Sequence, residues 1–125
     1  MSMMRQVFIP HLPTRRKPGA PDERVPTVSL YPAERRGRIV LCAPIGPAIH
    51  AEDLPEAIAD AEKAIARQFQ PEDYVVALGH VAVVAAALVA ASRKIGGPVQ
   101  LLVWSKDQAD YEEVSVDFSG SKEAA

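Results

Sequence analysis

The sequence has a single cysteine, few aromatic residues and no segment that resembles a targeting signal. Because Cys42 has no second cysteine to pair with, the disulfide-stabilised secreted class and the zinc motifs that need several cysteines are excluded. The opening residues, Met-Ser-Met-Met-Arg-Gln, lack the basic start, apolar run and small-residue cleavage site of a secretory signal. We therefore expect the protein to work in a reducing cytoplasm.

Long hydrophobic runs are also scarce, and the one candidate membrane span is interrupted. From Tyr74 to Ala91 the only strongly polar side chain is His80. Gly79 and His80 divide this stretch into a β-rich piece and an alanine-rich piece, and acidic rather than basic residues precede it. The pattern favours a buried strand followed by a buried helix, with no contact with a membrane.

The composition is that of one soluble globular domain. Of the 125 residues, 48% are hydrophobic and 24% are charged, and the formal net charge is −2. That small total hides a strong asymmetry, because residues 1–38 have a net charge of +5 and residues 39–125 a net charge of −7. Six of the 11 prolines lie before residue 33. We predict that residues 1–36 form an extended, basic, proline-rich arm with short strands at Gln6–Ile9 and Thr27–Leu30.

The remaining chain alternates strands and helices. Continuous apolar strands at residues 38–43, 74–78 and 99–104 are separated by helices near residues 54–69 and 81–95. Residues 111–118 alternate apolar and polar side chains, as in a half-exposed strand. The fold class we predict is α/β: a three-stranded parallel β-α-β-α-β core with an antiparallel C-terminal hairpin strand. We assign residues 37–118 to this α/β domain and residues 119–125 to a flexible tail, and we expect the strand at Gln6–Ile9 to pair at an edge.

The second predicted helix favours self-association. Val81–Ala91 is an uninterrupted run of 11 apolar residues, six of them alanine. A helix that is apolar on every side must be covered on every side, and a domain with two substantial helices has little to cover it. The alternative is that the N-terminal arm folds over it. We expect a homo-oligomer, with contact residues drawn from Val84, Ala87, Leu88 and Ala91.

Gly79 and His80 form the one candidate ligand site, because they join a predicted parallel strand to a helix. Ligands of α/β proteins bind at the carboxyl ends of strands, where His80 could donate a hydrogen bond or act as a base. The alternative, that His80 only caps the helix, is favoured, because no phosphate-binding loop accompanies it. Cys42 is expected to be an inert core thiol. We predict no catalytic residues, no metal site and no cofactor.

Two basic clusters are the most informative functional feature. They are Arg15, Arg16 and Lys17, and Arg35, Arg36 and Arg38. Such clusters can contact the phosphates of a nucleic acid. No aromatic residue is interleaved with either cluster, so base stacking is not indicated, and the acidic body would repel DNA. The other interpretation is that the basic arm contacts an acidic surface of its own subunit, a neighbouring subunit or a partner protein.

Several segments of the chain form a recognisable set: Val7–Pro10, Pro13–Arg16, Val25–Ala33, Gly37–Val40, Asp73-Tyr74, the turn at Gly79, the alanine-rich helix, Leu101–Trp104 and Tyr111. Together they resemble a family of small proteins encoded by tailed bacteriophages. This chain has His80-Val81 where the family has a pair similar to Asp-Pro, which argues against fixed chemistry in that turn. The resemblance implies an accessory phage protein made in the host bacterial cytoplasm, and it brings no catalytic residues.

The function expected from the sequence is therefore non-enzymatic. The first hypothesis is a self-associating phage accessory protein that binds a host or phage protein, in host takeover or in intracellular phage development. The second is a nucleic-acid-associated protein that uses the basic arm. The third is a small-molecule or nucleotide site at Gly79 and His80.

Overall fold

The computed structural model describes residues 5–43 and 49–118 and contains two sheets and three helices. The strands are β1 (Gln6–Ile9), β2 (Thr14–Lys17), β3 (Ala20–Pro26), β4 (Arg38–Leu41), β5 (Tyr74–Val76), β6 (Val99–Ser105) and β7 (Asp110–Val116). The helices are α1 (Tyr31–Glu34), α2 (Leu54–Gln68) and α3 (Val81–Ile95), and a short 3-10 turn at Ala51–Asp53 leads into α2.

The main sheet has five strands in the order β4-β1-β5-β6-β7. The first four strands are parallel, and β7 pairs antiparallel with β6. The predicted α/β class and the antiparallel C-terminal hairpin strand are therefore confirmed. The predicted helices are confirmed as well, and α3 ends as expected at Gly96, which has a left-handed φ of 65°.

The position of β1 corrects the expectation that the N-terminal strand pairs at an edge. It lies in the middle of the sheet, hydrogen-bonded to β4 on one side and β5 on the other, so the parallel part has four strands instead of three. Val7 and Ile9 pack on one face and Phe8 on the other, and all three are fully buried. Four residues are too few to show from their pattern alone that both faces are covered.

Helices cover the two faces of the sheet unequally. Residues of α2 and α3 pack with Phe8, Val75 and Val99 on one face, whereas Ala33 of α1 packs on the other. The preference for right-handed crossovers explains this division. The connections through α2 and α3 step in one direction along the sheet, and the connection through α1 steps in the opposite direction.

A buried carboxylate fixes the start of β1. Asp73, directly before β5, is only 1% exposed. Its Oδ1 accepts a hydrogen bond from the Gln6 backbone N–H at 2.9 Å, and its Oδ2 accepts from the Gln6 side-chain amide at 3.0 Å and from the Gln70 N–H at 2.9 Å. A buried carboxylate needs such donors, so this cluster locks the alignment of β1 with β5.

The middle of the predicted arm, from Thr14 to Pro26, forms a β-hairpin. Strands β2 and β3 pair antiparallel around a turn that includes Gly19, whose φ is +81°. Proline is tolerated here because both strands of a two-stranded sheet are edge strands. Residues 27–30 are not a strand, so that prediction was wrong. The predicted division of the chain at residue 36 stays a prediction. The predicted tail, residues 119–125, lies outside the described residues.

The described helices include none that is long and apolar enough to cross a membrane. The longest two, α2 and α3, have 15 residues each, whereas a spanning helix needs about 20.

The single thiol gives a simple test of the core. Cys42 is buried, and burial raises its pKa to about 12. Because the thiolate is the reactive form, we expect native protein at pH 8 to react with an aromatic disulfide reagent far more slowly than guanidinium-unfolded protein does. Rapid labelling of one thiol per native chain would contradict this burial.

Candidate functional site

The strand order places His11 beside the turn at Gly79 and His80, where a ligand site was predicted. The carboxyl ends of β1 and β5 meet where the chain order of the sheet reverses, which is the usual ligand position in open α/β sheets. The His80 backbone N–H donates to Nδ1 of His11 at 3.4 Å. A cavity of about 280 Å³ opens here, lined by His11, Pro13, Ile49, Gly79 and His80. The role of His11 could not be predicted from the sequence, because its proximity to His80 depends on β1 lying next to β5.

Gly79 makes this approach possible. Its φ is +103°, and a Cβ atom there would lie 2.5 Å from both the Cβ and the backbone oxygen of His11. A larger residue would therefore push β5 and the segment after β1 apart. The glycine predicted as part of a ligand site thus has a packing role in the structure.

His80 begins α3 as its N-cap. Its Nδ1 accepts a hydrogen bond from the Ala82 backbone N–H at 3.0 Å, which satisfies one of the unpaired donors of the first turn. The favoured interpretation of His80 as a capping residue is confirmed. Ligand binding at Gly79 and His80 stays a prediction. Within residues 5–43 and 49–118, no group of three or more His, Cys, Asp or Glu residues could hold a metal ion.

The first basic cluster lies on the hairpin. Arg15, Arg16 and Lys17 form most of β2, and all three are exposed. Lys17 makes a surface ion pair with Glu23 at 3.5 Å, whereas the side chains of Arg15 and Arg16 have no ion-pair partner among the described residues. Strands β2 and β3 contact each other extensively, and they contact no other described helix or strand to a comparable extent.

Two arginines of the second basic cluster form ion pairs within the fold. Arg36 donates to the carboxylates of Asp110 at 3.0 Å and Glu113 at 3.4 Å, and to the backbone oxygens of Pro32 and Tyr111 at 3.0 Å each. Arg36 therefore fastens α1 to the β6–β7 hairpin and has little capacity left for a partner. Arg35 also pairs with Asp110, at 3.3 Å, but stays half exposed.

These contacts shift the ionisation of both partners. The hydrogen bond from Arg36, followed by that from the Tyr111 backbone N–H, lowers the pKa of Asp110. The same hydrogen bond with Asp110 raises the pKa of Arg36. Burial raises the pKa of Tyr111, whose ring packs edge-on against Trp104. The three shifts, at Asp110, Arg36 and Tyr111, are all directed away from neutral pH, as expected for contacts that stabilise the charged pair and bury the tyrosine.

The predicted self-association residues are divided between the core and the surface. Ala87 and Ala91 face the sheet and are fully buried, so they are core residues and cannot contact a second copy. Val84 and Leu88 are partly buried. The outer side of α3 presents Val81, Ala85 and Val89. An apolar helix gives no sequence signal for which side faces its own core, because every side has the same character.

Comparisons with known proteins link the chain to one family. A family model described as Phage Pam3 gp32-like protein matches residues 5–118. Neither the comparison with curated proteins nor that with solved structures found a match. The matched range includes every strand and helix described above.

Removing the His80 cap tests its structural role. We expect His80→Ala to lower the free energy of unfolding by about 1 kcal/mol, because one N–H of the first turn loses its acceptor. His80→Asn, which keeps a capping acceptor, should retain most of that stability. His50→Ala is the control, since His50 precedes the 3-10 turn without a side-chain cap. Urea denaturation measures all three, and equal losses for His80→Ala and His80→Asn would argue against the cap.

Replacing Arg36 tests the fastening of α1 to β7. We expect Arg36→Met to lower the free energy of unfolding at pH 7 by about 1–2 kcal/mol, because Asp110 and Glu113 lose a charged donor. Arg67→Met, on the exposed side of α2, is the control. The folded pKa of Asp110 is below its unfolded value, so its contribution is present above about pH 4 and is lost as the pH falls further. A destabilisation that is the same at pH 7 and pH 2.5 would contradict the assignment.

Proposed function

The chain belongs to the Phage Pam3 gp32-like protein family, and from this premise we propose that it acts without catalysis, by binding protein in the host bacterial cytoplasm. We propose further that its first partner is a second copy of itself. The observation that carries the proposal is a pair of strands of opposite charge, each with one edge that no described strand occupies.

The basic member of the pair is β2. Its sequence is Thr-Arg-Arg-Lys, and on one side it pairs with β3. Its other edge has no strand partner among residues 5–43 and 49–118. An exposed edge with free backbone donors and acceptors is a template for another strand.

The acidic member is β7, the last strand of the main sheet. It pairs with β6 on one side only in the part of the chain that the structure describes. Asp110, Glu112 and Glu113 give it a negative charge, and Glu112 and Glu113 are exposed. Two copies of β7 would repel each other if they paired directly, because like charges would lie close together. A basic strand fits this edge better than a second acidic one.

Apolar surface beside this edge adds to the attraction. Val114 and Val116 lie opposite Leu101 and Val99, so they point to the face that α2 and α3 cover. Helix α3 packs on β5 and β6, and β7 lies one strand farther across the sheet, where the helix covers it less. Val114 is therefore 40% exposed. A strand added at this edge would remove apolar surface from water, which favours association.

A second copy supplies both surfaces at once. When two chains exchange hairpins, the β2 of each can lie on the β7 edge of the other, and one set of contacts then serves both copies. This arrangement brings the net charge of +5 in residues 1–38 against the net charge of −7 in the remainder of a neighbouring chain. It moves self-association from α3 to the hairpin and the sheet edge.

Charge reversal with rescue tests this proposal. We expect light scattering at 50 mM salt to give a mass above the 13.5 kDa of one chain, and a lower mass at 500 mM salt, because salt screens exposed charges. The variant Arg15→Glu/Arg16→Glu and the variant Glu112→Arg should each weaken association by about tenfold or more. Mixing the two variants should restore association, because in the mixed dimer both contacts between β2 and β7 again join strands of opposite charge.

Two matched controls sharpen the result. Lys63→Glu changes an exposed charge on α2 and should leave the mass unchanged. Val114→Arg should weaken association, whereas Leu41→Arg, at a similarly exposed apolar residue on the opposite edge strand, should not. A monomer at every salt concentration, or variants that do not rescue each other, would reject the exchange of hairpins.

Nucleic-acid binding is the second candidate, and the exposure of Arg15, Arg16 and Lys17 on one strand of the hairpin favours it. It predicts DNA or RNA binding that weakens steeply with salt and is lost in Arg15→Glu/Arg16→Glu. Glu112→Arg separates the two candidates, because it should disrupt self-association and leave nucleic-acid binding intact.

A further inference from the structure

A small polar cavity opens at the amino ends of β5 and β6, on the face of the sheet where α1 packs. It has a volume of about 240 Å³ and is lined by Arg5, Pro71, Glu72, Tyr74, Gln100 and Glu113. Charges of both signs are therefore present in its walls. The volume is below the ~300–1,000 Å³ of pockets that take drug-sized ligands, so the cavity suits a smaller molecule.

The strand register places the cavity residues of the sheet on one face. Tyr74 of β5 lies directly opposite Gln100 of β6. Glu113 of β7 lies opposite Leu102, which is two residues along β6 from Gln100. Because side chains return to the same face of a sheet at every second residue, Tyr74, Gln100 and Glu113 all point to the same side.

Hydrogen bonds through the Tyr74 hydroxyl connect two walls of the cavity. The hydroxyl accepts a hydrogen bond from Nη1 of Arg5 at 2.9 Å and donates one to Oε1 of Glu113 at 3.2 Å. Tyr74 itself is only 4% exposed, and the Arg5 guanidinium lies 5.7 Å from the centre of its ring. A buried aromatic residue thus holds the guanidinium of Arg5 at this cavity.

Two opposite charges at the cavity have no ionic partner. Neither Arg5 nor Glu72 forms a salt bridge within residues 5–43 and 49–118, with each other or with any other residue. A guanidinium has five N–H donors, and Arg5 uses only one nitrogen in its contacts with described residues. Both residues are exposed, so a solute can reach them.

Gln100 adds a neutral acceptor to the cavity. Its side-chain nitrogen donates to the Ser115 hydroxyl at 3.4 Å, whereas its side-chain oxygen has no partner among the described residues. Glu113 differs from Glu72, because its carboxylate already pairs with Arg36 at 3.4 Å. The available groups are therefore guanidinium donors on Arg5 and oxygen acceptors on Glu72 and Gln100.

We propose that this cavity binds a small zwitterion of the free amino acid class. Its carboxylate contacts Arg5, and its ammonium group contacts the side-chain oxygens of Glu72 and Gln100. The planar guanidinium presents parallel donors that match a carboxylate, and an ammonium group needs oxygen acceptors. A ligand with one charge would leave one of the two protein charges unpaired. Neither β2 nor Glu112 lines the cavity, so the site is separate from the self-association proposed above.

Titration with matched probes tests the class of ligand. NMR of the ¹⁵N-labelled full-length protein follows the Arg5 Nε–Hε signal and the backbone amides of Glu72 and Gln100. The probes are glycine, β-alanine and glycylglycine, whose two charges are increasingly far apart. Acetate and methylammonium, each with one charge, are the controls at the same ionic strength. We expect at least one zwitterion to bind saturably and more tightly than either control, and the tightest of the three indicates the spacing of the site.

Variants of the two charged residues complete the test. Arg5→Gln and Glu72→Gln should each weaken binding of the tightest zwitterion about tenfold or more. Arg67→Gln and Glu56→Gln remove the same charges from exposed positions of α2 and should leave the affinity unchanged. The amide spectrum shows whether each variant is folded. Shifts that saturate with no zwitterion, a singly charged probe that binds as tightly, or unchanged affinity in either cavity variant would overturn the proposal.

Discussion

The burial of β1 between β4 and β5 is the constraint on which the remainder of the structure depends. Val7, Phe8 and Ile9 contribute to the cores on both faces of the sheet, and the Asp73 carboxylate fixes the alignment of the strand through Gln6. Without β1, the parallel strands β4 and β5 would have no common neighbour. The same strand also determines what surrounds the candidate sites, because Arg5 precedes it and His11 follows it.

This constraint explains why the two ends of β1 differ in chemistry. At its carboxyl end, His11 packs against Gly79 and beside the cap of α3, so that end is largely committed to holding the fold together. At its amino end, Arg5 lines a polar cavity with Tyr74 and Glu113, and most of its guanidinium donors are unused. The end that sequence reasoning favoured for a ligand is thus the more structural one, and the opposite end carries the proposed ligand site.

Much of the fold could be predicted from the sequence, and the failures have specific causes. The bounds of α3 followed from an apolar run between His80 and the left-handed Gly96, and the antiparallel β7 followed from its alternation. The central position of β1 could not be predicted, because four residues do not reveal how many of their faces are buried. The pairing of β2 with β3 was hidden by prolines, which exclude a central strand but are tolerated in a two-stranded hairpin.

The sites were predictable only in part, because they depend on which segments meet. Arg35, Arg36 and Arg38 were selected as one cluster, yet Arg36 is fastened to Asp110 and Glu113. Arg5, which was not selected, lies at the polar cavity beside Tyr74. Hydrogen exchange tests the central claim most directly. The account predicts that the amides of Val7 and Phe8 exchange only on global unfolding, whereas those of Arg15 and Arg16 exchange by local opening. Equally rapid exchange in both segments would show that the N-terminal third is an arm and would contradict the account.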